Sequence, residues 1–225
     1  MTTTNEDTAV SRALRGLEHG DASVRLRTAL AVGSAPDARL VDPLVERCAT
    51  EPDFSVREML TWALTRHPQD LTVPRLVGEL RSERPQARSQ ALHTLSKTGD
   101  RRAWPAITRA LLTDADDEVA RAAWRTAVLL VPEDEAPALA AVLAGQLGRG
   151  GRETRLSLSR ALIALGAAAE PAREAAAAHP EARIREHALA TEELRRDPDA
   201  GFDLAIEEAK RRVALGAYGD PDERP

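Results

Sequence analysis

The twelve residues Asp53-Phe54-Ser55-Val56-Arg57-Glu58-Met59-Leu60-Thr61-Trp62-Ala63-Leu64 decide the fold, because variants of them return along most of the 225-residue chain. Aligning the small or β-branched residue that opens each copy gives Val24, Val56, Ala87, Val119, Thr154 and Ile184, at steps of 32, 31, 32, 35 and 30. A fixed period between about 20 and 50 residues marks a stacked repeat array rather than one closed core. An arginine follows the opener in five of six copies, as Arg25, Arg57, Arg88, Arg155 and Arg185; the fourth copy has Ala120 and then Arg121.

A proline trails each of the first five openers by 17 to 19 residues, at Pro43, Pro74, Pro105, Pro137 and Pro171. Proline is tolerated in the first turn of a helix, where its missing N–H has no intrahelical acceptor, so each can start a helix. The acid three places before an opener (Asp21, Asp53, Asp116, Glu181) falls where a side chain caps the other helix of the pair. Gly33, Gly99 and Gly166 stand where helices end in a left-handed residue. Val56, Leu60, Ala63 and Leu64, like Ala87, Ala91 and Leu95, give one apolar stripe per helix. The spacing predicts helix pairs at 8–19 with 22–33, 41–50 with 54–67, 71–82 with 86–98, 103–113 with 117–131, 135–147 with 152–166, and 168–178 with 182–196. After Asp197-Pro198-Asp199 the pattern changes, and Phe202, Leu204, Ile206, Ala209, Val213 and Leu215 predict a further helix near 200–215 that caps the last repeat. Residues 1–6 are expected to fray, Gly148-Arg149-Gly150-Gly151 to form a flexible joint, and the Gly- and Pro-rich end to be disordered.

The pattern acid-x-x-Val-Arg-x-x-Ala-x-x-x-Leu, then a loop, then proline and a Leu-rich helix, resembles the HEAT-like repeat, in particular the short type of phycobilisome-lyase relatives. The resemblance covers roughly Asp7 to Arg196. It implies an all-α fold, a right-handed α-solenoid of about six stacked antiparallel helix pairs, with the array at 7–198, a C-terminal capping helix at 199–216 and a disordered tail at 217–225. It implies further that the arginine column Arg25, Arg57, Arg88, Arg155 and Arg185 is structural, each side chain bonding an acid or loop carbonyls of a neighbouring repeat. The second helix of each pair would line a concave face.

Positions two and six beyond each opener then face outward: Leu26 and Leu30, Glu58 and Trp62, Ser89 and His93, Arg121 and Arg125, Leu156 and Arg160, Glu186 and Ala190. Trp62 beside His93, Arg121, Arg125 and Arg160 offers an aromatic anchor among cations, residue types enriched where partners bind most tightly. Trp104 and Trp124 are expected to be packing residues.

A formal net charge of −5 argues against general nucleic-acid binding. A single Cys48 excludes an internal disulfide, the polar start carries no signal peptide, and no run approaches the ~18 apolar residues of a membrane span, so a cytoplasmic protein is expected. His19, His67, His93, His179 and His187 have no metal-ligand spacing, and no nucleophile elbow, Walker loop or dinucleotide fingerprint occurs. These features predict a non-enzymatic scaffold, without cofactor, metal or catalytic residues, that binds another protein through its concave row, an acidic segment suiting the arginines; a monomer is expected. Because HEAT-like relatives include bilin lyases and an alkylpurine DNA glycosylase type, the resemblance also admits an enzyme or enzyme subunit. A third arrangement uses the C-terminal helix to pair two copies.

Overall fold

The computed structural model describes residues 3–198 and 202–214, and every regular element among them is a helix. The chain divides into two compact units, Met1–Leu130 and Val131–Pro225. The first holds α1 (Thr3–Leu17), α2 (Ala22–Ser34), α3 (Val41–Cys48), α4 (Phe54–Arg66), α5 (Gln69–Glu79), α6 (Pro85–Thr98), α7 (Arg109–Leu112) and α8 (Asp117–Leu130). Helices pair as α1 with α2, α3 with α4, α5 with α6 and α7 with α8, while α2, α4, α6 and α8 pack in succession on one side and α1, α3 and α5 on the other. The second unit holds α9 (Ala136–Ala144), α10 (Arg152–Ala164), α11 (Glu170–Ala177), α12 (Ala182–Arg196) and α13 (Phe202–Ala214). There α10 lies against α9 and α12, and α12 against α11 and α13.

The apolar stripes form the core. Val56, Leu60, Ala63 and Leu64 are at most 1% exposed, and Leu44, Leu76, Leu92, Leu95 and Leu130 close around equivalent faces. Each large aliphatic side chain so buried contributes about 1.5–3 kcal/mol. Trp124 is fully enclosed and its indole N–H donates to the Leu112 carbonyl at 2.8 Å, so the ring packs without stranding its one polar atom.

Several helix ends follow the expected chemistry and some do not. Asp21 accepts from the Ser23 amide, Asp53 from Val56, and Asp116 from both Glu118 and Val119. Glu181 is the N-cap of α12 but makes no capping bond, its side chain being one carbon longer than aspartate's. Gly99 and Gly166 adopt φ of 65° and 59° at or beyond helix ends. Gly33 corrects the expectation: it lies inside α2, where a Cβ would come 2.3 Å from the Trp62 ring, so it serves close approach rather than termination. Pro43, Pro137 and Pro171 sit in first turns, but Pro74 lies within α5, its own position and that of Asp70, whose carbonyl loses a helical donor, both exposed.

The fourth pair departs most. A helix over 103–113 is expected, yet Arg101–Ala106 is a 3-10 helix containing Pro105, and the chain leaves helical geometry at the buried Ile107 (φ −82°, ψ 79°) before the four-residue α7. Residues 3–6, expected to fray, belong to α1. The expected tail at 217–225 lies outside the described residues. In the second unit, α13 packs through Ala205 and Ala209 onto Leu189, Ala190 and Leu194 of α12.

Candidate functional site

The arginine column is built from one recurring turn. In Arg25, Arg57, Arg88 and Arg185, Nη1 donates to the two carbonyls five and six residues upstream: His19 and Gly20, Glu51 and Pro52, Ser82 and Glu83, His179 and Pro180. Arg155 reaches the carbonyls of Gly150 and Gly148 instead, the glycine loop being longer. The arginine thus collects carbonyls of the interhelical turn, of which the Glu51 carbonyl accepts from Gln86 Nε2 as well.

Two of these arginines also use their other edge to grip the next repeat. Arg25 Nε and Nη2 donate to Glu51 at 2.7 Å each, and Arg88 Nε and Nη2 to Asp114 at 3.0 and 3.1 Å. Such fork-to-fork pairs are the strong form of the interaction. Glu51 is fully buried and accepts as well from Arg47 and the Asp53 amide. Burial alone would raise its pKa, but hydrogen bonds from Arg25, the Asp53 amide and Arg47 outweigh it and hold the carboxyl at about 2.

In the first unit the outward row is exposed at Leu30, Trp62 and Arg125 and half-buried at Leu26, Glu58, Ser89, His93 and Arg121. Leu30 and Trp62 are 45% and 38% exposed, and the inner edge of the Trp62 ring lies against Gly33. The buried His93 Nε2 sits 3.1 Å from Glu58 Oε1. Burial lowers the His93 pKa, with the nearby Lys97 and Arg125 charges adding to it against Glu58. Arg121 Nη1 donates to Glu118 at 2.8 Å, while its Nε is buried without a partner. Arg125 is exposed, yet crowding around its guanidinium, with the like charge of Arg121, lowers its pKa. So Glu58, His93, Arg121 and Arg125 form one polar group on α4, α6 and α8. Arg160 is exposed on α10 in the second unit. Ala190 is a correction to the expected row: it is fully buried in the cluster that α13 covers, because offset counting from an opener takes no account of a helix added after the repeats.

The described residues also hold a network the sequence reading passed over. His187, fully buried, accepts from the Gly148 amide at Nδ1 (2.9 Å), so its Nε2 carries the hydrogen facing the Arg155 carbonyl and Ser159, which in turn meets Thr191. Burial pushes its pKa down to about 4. The glycine loop is therefore fastened by His187 and Arg155 rather than left loose. The only signal was a histidine three places after an opener, beside the apolar stripe, with Thr191 on the stripe itself. Cys48 is buried, which pushes its thiol up to about 12 and makes it a poor nucleophile. Among the described residues no group of histidine, cysteine or acidic side chains could hold a metal ion, and no helix is long and apolar enough to cross a membrane.

Residues 42–128, from α3 through nearly all of α8, match the family model of HEAT repeats. The chain has no match among curated proteins. Among solved structures, the complex of CpcE and CpcF of phycocyanin lyase from Nostoc sp. PCC7120 is similar at 17% identity and a TM-score of 0.39, over 89% of this chain and 93% of that one.

Proposed function

With residues 42–128 matching HEAT repeats as the premise, we propose that this protein is a non-enzymatic scaffold that binds a segment of another protein along the outward row of α4, α6 and α8. The observation that carries the reading is the half-exposed Trp62 ring in one row with the exposed Arg125 and with Arg121, whose Nε is buried without a hydrogen-bond partner. An unpaired buried donor such as Arg121 Nε costs stability in the free protein, and a partner that supplies an acceptor recovers that cost on binding. Arg121 and Arg125 repel each other, so an acidic segment lying across them gains attraction and relieves that repulsion. The reading assigns no catalytic residue and no cofactor.

The test is affinity capture from host lysate with wild type beside a Trp62→Ala, Arg125→Ala variant of unchanged circular dichroism, followed by titration of the purified partner. A protein enriched by wild type and lost by the variant is expected. Truncating Trp62 alone should cost at least ~2 kcal/mol, about thirtyfold in affinity. A partner that binds folded Trp62→Ala as tightly as wild type removes the row from the interface.

A further inference from the structure

Among the described residues three arginines of the column, Arg57, Arg155 and Arg185, bind no acid of a following repeat, and Arg57 is the one that stands between two that do. The residue five places before the opener accepts a bond from the amide two residues on in five of the six copies: His19 from Asp21, Glu51 from Asp53, Ser82 from Arg84, Asp114 from Asp116, and His179 from Glu181. At Glu51 and Asp114 that residue is a carboxylate, and the arginine of the preceding repeat, Arg25 or Arg88, clasps it with Nε and Nη2. Between them stands Ser82, in the position where Arg57 would find its acid. Serine has neither the charge nor the reach. Arg57 accordingly spends Nη1 on the Glu51 and Pro52 carbonyls, stands 5.8 Å from the Phe54 ring centroid, and has no side-chain partner for its remaining edge.

That arginine lines a cleft of about 290 Å³ with Gln86, Ser89, Gln90, Asp116 and Glu118. The acids there are already committed: Asp116 to the amides that begin α8 and Glu118 to Arg121. Gln90 Oε1 is buried with no hydrogen-bond partner, an acceptor suited to a peptide N–H.

We infer that this cleft is a carboxylate-binding subsite for a peptide segment, in which the segment's carboxylate completes the rung that Ser82 leaves open on Arg57 and a backbone N–H of the segment reaches Gln90. The two closed rungs of the same molecule show the geometry a carboxylate adopts on this arginine edge. Ser89 belongs both to the cleft and to the outward row, so the subsite extends the partner-binding reading and names what it recognises.

The experiment is a titration of the full-length 15N-labelled protein with acetyl-Gly-Glu-Gly-amide, following the Arg57 Nε–H and Gln90 side-chain amide signals. The glutamine analogue serves as control, and acetyl-Gly-Gly-Gly with a free terminus as a second arm. Saturable shifts at both groups with a carboxylate peptide and none with the glutamine analogue are expected. The arm that binds more tightly tells whether the carboxylate comes from an acidic side chain or a chain terminus. Ser82→Asp, which supplies the missing acid from within, should raise the melting temperature and weaken the peptide by about tenfold or more, since a charge-assisted fork is displaced. No saturable shift of Arg57 up to tens of millimolar, equal shifts with the glutamine analogue, or a Ser82→Asp protein that binds unchanged would each overturn the assignment. Capture of a Trp62-dependent partner alongside a silent Arg57 would sink the subsite and leave the row standing; the reverse would sink the row alone.

Discussion

Replacing Glu51 by glutamine removes one charge from a closed cage and leaves the shape intact. The carboxyl is held at about 2 against an ordinary 4.5, and it is fully buried, so solvent screening takes little away. A difference of roughly 2.5 at 1.36 kcal/mol per pKa unit is about 3 kcal/mol. Breaking a buried pair by neutralising one member costs about 3–5 kcal/mol by mutational precedent, because Arg25, only 5% exposed, is left with a weaker acceptor. The two routes agree on about 3 kcal/mol at neutral pH, a large share of the 5–15 kcal/mol that holds a typical domain folded. Since the folded pKa is depressed, this stabilisation is complete above the unfolded value of about 4.5 and is lost as pH falls toward 2. Wild type and Glu51→Gln should therefore converge on acidification. Urea unfolding followed by tryptophan fluorescence is a selective assay, because Trp62, Trp104 and Trp124 all lie in the first unit. A loss under ~1 kcal/mol at pH 7, or a gap that does not narrow toward pH 3, would refute the reasoning.

Two further outcomes follow from the packing. Gly33→Ala should destabilise the first unit by about 1–3 kcal/mol and alter Trp62 emission, since the new methyl meets the ring at 2.3 Å and the Ala63 backbone at 2.9 Å; unchanged melting would show that α2 and α4 part freely. His187, held at about 4 when its ordinary value is 6.5, binds a proton more readily in the unfolded chain, so the second unit should lose up to about 3 kcal/mol as pH falls from 6.5 through 4. The second unit has no tryptophan, so its transition is read by circular dichroism; His187→Gln should flatten that pH dependence, and a variant retaining it would exonerate the imidazole.

The repeat period made the helices legible, because Val56, Leu60 and Leu64 must recur on one face wherever a helix has a neighbour to bury it. The proline at 105 did not announce that its helix would break, since the same residue starts α9 and α11 harmlessly from the first turn; what differs is where the chain turns inward, at Ile107. Gly33 was misread because glycine carries two messages, a left-handed end and a close approach, and only the opposing Trp62 distinguishes them. The arginine column was visible as residues but not as bonds: its partners are largely backbone carbonyls, which every residue type supplies and no sequence pattern marks. The outward row could be counted on α4, α6 and α8, whereas Ala190 depended on a helix that obeys a different pattern.

Because each column arginine binds the turn that immediately precedes its own helix, the tie is local in the chain and travels with its repeat. A segment cut just ahead of one interhelical turn and just ahead of the next therefore carries its own fastening, and duplication or deletion in that register leaves no arginine without carbonyls. The two forks to Glu51 and Asp114 are the exceptions: they stitch the first repeat to the second and the third to the fourth. Recombination that respects those two stitches can lengthen or shorten the array without redesigning a single turn.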